Sequence, residues 1–240
     1  MLERIWILIP DADTLLQALP AGLLWGALAA VLAARVRSRG VRTAYTRKIF
    51  HFAIFTVAGV MHLWLGPAGV AAYGGGVVVV VLYGVWRGAG DPFYEALARP
   101  SDEPRRTFFI LVPLATTALG GILANLMVPA FAHIGYLVCG WGDAVGEPVG
   151  ARWGRHRYSV PGLAGVPATR SLEGSAAVFA VGAAAACAGL LVSGVSPGRA
   201  VGVGLAVGAA GAAVEAFSNH GLDNLTVQIA AAVTAALLLT

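Results

Sequence analysis

The chain has 240 residues, of which 58% are hydrophobic and only 12% charged, with a mean hydropathy of +0.77. Soluble domains carry about a quarter charged residues, so this composition excludes a globule clothed for water. The sequence pI near 9.4 is read as loop charge on a membrane protein and not as a nucleic-acid surface.

About 20 apolar residues cross the hydrocarbon core of a bilayer. Hydropathy predicts about eight such spans: 14–34, 49–66, 68–86, 108–124, 127–142, 171–193, 199–217 and 224–240. A span must satisfy its own backbone, which selects helices. The segments are apolar all round and do not alternate, which excludes a β-barrel. The predicted fold is therefore an all-α, polytopic transmembrane bundle forming one integral membrane domain over residues 1–240. Met1 to Asp13 lack the basic stretch and cleavage site of a secretory signal, so 14–34 is expected to persist as the first span. Cys139 and Cys187 lie in apolar stretches and read as small buried residues, not as a disulfide.

With the N-terminus outside, eight crossings make 35–48, 87–107, 143–170 and 218–223 the inner loops. They contain all but Arg4 and Arg199 of the 16 basic residues. That bias assigns them to the cytoplasm and leaves both termini outside. The 87–107 loop, with Pro92, Pro100, Ser101 and Pro104, reads as a linker between two groups of spans. The Ala/Gly/Val-rich stretch 176–213 reads as helix-packing surface.

Three polar clusters lie at this expected cytoplasmic boundary. The first runs from Gly140 to Gly154. Gly142, Gly146, Gly150 and Gly154 give a helix one bare side, which leaves open packing within one chain or in a homodimer. Asp143 and Glu147 repeat the spacing one residue round and share a face. Two carboxylates a turn apart suit a divalent metal that also holds phosphate oxygens, or else ion pairs with Arg152 or Arg155. Pro148 is expected to disturb this helix. Downstream, Ser171 or Thr169 can cap the next span, and with Arg170 beside it the helix start forms a phosphate seat or a plain capped end. The second cluster is Arg47, Lys48 and His51 where a span enters the membrane. Lys48 fits snorkelling to the interface, and His51 fits a packing or a functional role equally. His62 and His133 read as structural or interfacial. The third cluster is Glu215, Ser218, Asn219, His220, Asp223 and Asn224. Acidic groups at membrane depth face a cavity or a partner, although a short polar loop alone would also account for it.

Together these pieces resemble the integral-membrane lipid-alcohol kinases, the group of dolichol, phytol and CTP-dependent diacylglycerol kinases, and the related phosphatidate cytidylyltransferases. The matching residues are Arg47-Lys48-x-x-His51, Gly142-Asp143-x-x-x-Glu147-x-x-Gly150-x-x-x-Gly154, Arg170-Ser171-x-Glu173-Gly174-Ser175, and Glu215 followed by Asp223-Asn224-Leu225-Thr226-Val227. They cover roughly fifty residues. Arg170 stands where kinase members carry Lys, which keeps the charge but changes its geometry, and Gln228 replaces a proline. The tail resembles the cytidylyltransferase ending only in part, which favours the kinase branch.

The resemblance implies Mg²⁺-dependent transfer of phosphate from a nucleoside triphosphate, CTP in that group, to the hydroxyl of a membrane-resident lipid alcohol. It implies Asp143, Glu147 and Asp223 as metal ligands. Asp223 or Glu215 would orient the hydroxyl, and His51 would assist proton movement or contact phosphate. Lys48, Arg152, Arg155, Arg170, Ser171, Gly174, Ser175 and Asn224 would surround the nucleotide phosphates. The alternatives are CTP:phosphatidate cytidylyltransferase chemistry, from the same group, and a transporter or non-catalytic scaffold from another class. A transporter should carry its polar groups at the bilayer midplane in repeated halves, which this chain does not.

Overall fold

The computed structural model describes residues 2–219 and 221–240; His220, one residue of the third polar cluster, lies outside them. Among the described residues there are eight α-helices: α1 (Ala12–Ser38), α2 (Thr43–Arg87), α3 (Pro92–Leu97), α4 (Phe108–Met127), α5 (Ala132–Trp153), α6 (Leu172–Val192), α7 (Pro197–Phe217) and α8 (Asp223–Leu239). One antiparallel hairpin, β1 (Arg157–Leu163) and β2 (Val166–Ser171), stands between α5 and α6. Five helices, α1, α2, α4, α6 and α7, are long and apolar enough to cross a membrane. Each of the eight expected segments falls on helix, but α8 is short and α5 carries Asp143, Glu147 and Arg152.

The chain divides into two compact units, Met1–Ala115 and Thr116–Thr240. In the first, α2 runs for 45 residues and is interrupted at Gly66, whose φ of 68° and ψ of −163° are non-helical. Tyr73 Oη donates to the Ile54 carbonyl at 3.0 Å across that interruption. Nineteen residues of straight helix would separate the two by roughly 28 Å, so α2 folds back on itself at Gly66-Pro67. The expected spans 49–66 and 68–86 are its two arms. Helix α1 packs on both. Trp25 donates to the Ala53 carbonyl at 2.9 Å, and a Cβ on Gly76 would come within 2.6 Å of Leu23 N.

The distribution of side chains in α1 is inverted relative to a water-soluble helix. Ala18, Gly22, Gly26, Ala29, Ala30 and Ala33 face inward, while Leu16, Leu24, Leu28 and Leu32 are exposed. Lipid solvates leucine as well as protein does, and small residues let backbones approach, so this is how a membrane helix packs.

The 87–107 stretch, expected as a linker between two groups of spans, has ordered structure of its own. Asp91 caps α3 by accepting from Phe93 N and Tyr94 N, and Phe93, Tyr94, Ala96, Leu97 and Ala98 are buried. Glu95 takes a bidentate pair from Arg106 (2.5 and 3.3 Å), while Thr43 and Thr46 donate to the carbonyls of Glu95 and Ala96. Arg99 and Asp102 form a buried pair at 3.0 Å.

In the second unit α6 packs between α5 and α7, and α8 packs on both α5 and α7. The glycine stripe of α5 faces α6 within the same chain. A Cβ on Gly146 would lie 2.6 Å from Val178 Cγ2, and one on Gly174 would lie 2.8 Å from the Gly146 carbonyl oxygen. Helix α5 stays continuous through Pro148, although the ring removes the N–H that would bond the Ala144 carbonyl. Residues 143–153, counted within the expected inner loop 143–170, are thus the last three turns of α5, and the hairpin forms most of the rest. Alternation of Tyr158, Val160, Ala168 and Arg170 with exposed partners is the short strand signal beneath that Pro/Gly-rich sequence.

Candidate active site

Four side chains from four elements of the second unit come together. Asp143 comes from α5, Glu215 from the last turn of α7, Asp223 from the first turn of α8, and Arg170 from the end of β2. Ligand oxygens of Asp143, Glu215 and Asp223 all lie within 4.8 Å of one another, and all three residues are buried.

Local folding explains each position. Asp143 stands between Gly142 and Gly146, on the part of α5 that packs against Val178 of α6. Asp223 opens α8, where a carboxylate favours the positive helix end, and its Oδ1 accepts from Gly221 N and Asn224 N, both at 3.0 Å. Glu215 is at the unfavourable, negative end of α7. Arg170 offsets this: its Nη1 pairs with Glu215 Oε1, and its Nη2 reaches Asp223 Oδ2 at 2.9 Å and the Ser218 carbonyl at 3.1 Å. One guanidinium therefore ties the end of α7 to the start of α8.

Three carboxylates this close repel one another by roughly 3 kcal/mol per pair at an effective dielectric near 20, and one arginine offsets only part of that. Glu215 Oε2 remains buried without a hydrogen-bond partner. A buried, unpartnered carboxylate oxygen among hard oxygen donors is the chemistry of a Mg²⁺-class ligand set. The residues present fit such a cation.

The other expected site residues are distributed as follows. Glu147, one turn beyond Asp143, is half-buried and outside the three-carboxylate group; Glu215 completes that group. Ser171 is the cap of α6, accepting from Gly174 N at 3.1 Å, and Leu172 N donates to the His156 carbonyl. Ser175 bonds Tyr158 Oη at 2.9 Å, and Glu173 meets His156 Nδ1 at 2.8 Å, so this motif fastens the hairpin to α6. Arg152 and Arg155 are exposed, Arg152 lying over the Trp153 ring. Asn224 Nδ2 donates to Thr117 Oγ1 at 2.8 Å, joining α8 to α4. Lys48 and His51 belong to the first unit: Lys48 is buried on α2, and the His51 ring sits 4.4 Å from that of Phe55. His133 bonds Ser193 between α5 and α6, in line with a structural histidine. The ties made by Tyr158 and Thr117 were not legible in advance, because neither belongs to a charged motif.

No protein-family model matches the chain. No solved structure matches it either. Among curated proteins, it is 33% identical over 198 residues to a phytol kinase of Synechocystis sp. (strain ATCC 27184 / PCC 6803 / Kazusa), spanning 79% of this chain and 77% of the relative. With that identity over that share of both chains, the chain belongs to the lipid-alcohol kinase family of which phytol kinase is a member.

Proposed function

We propose that the protein transfers the γ-phosphoryl group of a nucleoside triphosphate, CTP by preference, to the hydroxyl of a long-chain isoprenoid alcohol of the phytol class. We infer that the reaction takes place at the cytoplasmic face and depends on Mg²⁺. The observation that carries this reading is the convergence of Asp143, Glu215 and Asp223, whose ligand oxygens lie within 4.8 Å of one another, in a chain 33% identical to a phytol kinase. The placement of nearly all basic residues in the inner loops supports the cytoplasmic assignment.

Asp143, Glu215 and Asp223 are the residues that would hold the cation, which when bound neutralises phosphate charge. Phosphoryl transfer asks a protein chiefly to position reactants and balance charge. The hydroxyl oxygen bonds to the γ-phosphorus as the bond to the β–γ bridging oxygen breaks, and the nucleoside diphosphate departs with that electron pair. The hydroxyl proton passes to a carboxylate of the site, Asp223 or Glu215. Arg170 holds Glu215 and Asp223 in register. Exposed Arg152 and Arg155 supply positive charge for the incoming triphosphate.

The test is product analysis with purified protein, Mg²⁺, γ-labelled CTP or ATP, and phytol, farnesol, polyprenol, diacylglycerol or phosphatidate. Label in a phytyl or farnesyl monophosphate is the expected result. Release of pyrophosphate with a CDP-lipid, or no turnover of any triphosphate, would contradict it.

A further inference from the structure

Asp223 takes its direction from two backbone N–H groups. Its Oδ1 accepts from Gly221 N and Asn224 N, both at 3.0 Å, while its Oδ2 meets Arg170 at 2.9 Å. The carboxylate therefore points where those two peptides let it point. Gly221 lies in the α7–α8 connection with a φ of 90°. Asn224 stands in the first turn of α8, where backbone N–H groups have no partner within the helix.

Both donors belong to residues held by adjacent threonines of α4. Thr116 Oγ1 donates to the Gly221 carbonyl, and Thr117 Oγ1 accepts from Asn224 Nδ2 at 2.8 Å. One threonine grips the residue two before Asp223, the other the residue after it. Close by, the two helices meet backbone to backbone: a Cβ on Gly120 would lie 2.9 Å from the Asn224 carbonyl oxygen and 3.0 Å from Leu225 Cα. Gln228 Nε2 adds a bond to the Thr117 carbonyl at 3.3 Å. Joining α4 to α8 is served by Gly120 and Gln228. The two hydroxyls fall instead on the residues whose N–H groups fix Asp223.

We propose that Thr116 and Thr117 are positioning residues for Asp223, acting through Gly221 and Asn224 to keep its carboxylate in register with Asp143 and Glu215. This rests on the reading of Asp223 as a cation ligand. Outer hydrogen-bond partners of ligating groups contribute roughly 10–100-fold in metal affinity or activity.

The experiment measures the Mn²⁺ affinity of the whole chain in detergent micelles, without nucleotide, from the paramagnetic resonance signal of the free ion. T116V and T117V, which keep the branched shape and lose the hydroxyl, are expected to bind roughly 10-fold or more weakly than wild type. T116S and T117S, which keep the hydroxyl, are expected to bind as wild type does. Added to D223A, neither valine is expected to weaken binding further. If a valine variant does not fold, the alanine variant of the same threonine is measured in its place. Wild-type affinity in folded T116V and T117V would overturn the proposal. So would serine variants as weak as the valine ones, or a valine loss that persists in full in D223A. Wild-type affinity in D223A, or no Mn²⁺ bound by wild type, would overturn it one step earlier, by removing the cation reading of Asp223.

Discussion

Arg170, at the end of β2, and Asp223, in the first turn of α8, form an ion pair of 2.9 Å across 53 residues of chain. The same guanidinium reaches Glu215 and the Ser218 carbonyl, so the ends of three elements share one charged centre. Removing one member of a buried pair strands the other, which costs about 3–5 kcal/mol. Arg170→Met, which leaves buried Glu215 and Asp223 without the guanidinium they share, is therefore predicted to destabilise the protein by about 3 kcal/mol. Adding Glu215→Gln to it should recover part of that loss. Thermal unfolding of both variants in detergent checks this, and a double variant less stable than either single would contradict it.

The α5–α6 contact allows no extra atom at Gly174. A Cβ there would meet the Gly146 carbonyl oxygen at 2.8 Å, and backbone cannot yield as a flexible side chain does. Gly174→Ala is expected to lower stability by roughly 1–3 kcal/mol and to reduce activity with it, since the contact sets the height of Asp143. Ser171→Ala removes only the α6 cap, worth about 1 kcal/mol, and is expected to melt a few degrees lower. If both variants melt with wild type, the packing account is wrong.

At Gly66 the strain is conformational, because nothing lies within 4 Å of the position a Cβ would take. Gly66→Ala is predicted to cost roughly 1–3 kcal/mol through its backbone angles alone. Protease or hydrogen-exchange measurements should show the turn between the arms of α2 loosening first. Unchanged protection there would contradict the fold-back.

Arg106 hydrogen-bonded to Glu95 holds that carboxyl below its ordinary value of 4.5. A depressed carboxylate contributes stability that is present above the unfolded value and is lost as pH falls through the folded one. Wild type should therefore lose its advantage over Glu95→Gln progressively below about pH 4.5. Melting temperatures compared between pH 3 and pH 6 test the direction, and a gap that widens on acidification would contradict it.

Much of this was visible in the sequence because membrane helices announce themselves by long apolar runs, and Asp143, Glu215, Asp223 and Arg170 stood out as charges at their ends. Helical spacing, however, relates only residues a turn or two apart. It paired Asp143 with Glu147, whereas packing brought in Glu215 and Asp223, some 70 to 80 residues further along the chain. The β-hairpin was hidden by its prolines and glycines, and the folding of 87–107 depends on side-chain bonds to α1 and α2 that no periodicity encodes.

The central claim is that Asp143, Glu215 and Asp223 form the phosphoryl-transfer centre. The most direct test is transfer of γ-label from CTP to phytol by wild type and by Asp143→Asn, Glu215→Gln and Asp223→Asn, each confirmed folded. A loss of roughly 10²–10³-fold in each variant, with Mn²⁺ binding abolished or weakened, is the predicted result. Wild-type rates in all three folded variants would contradict it.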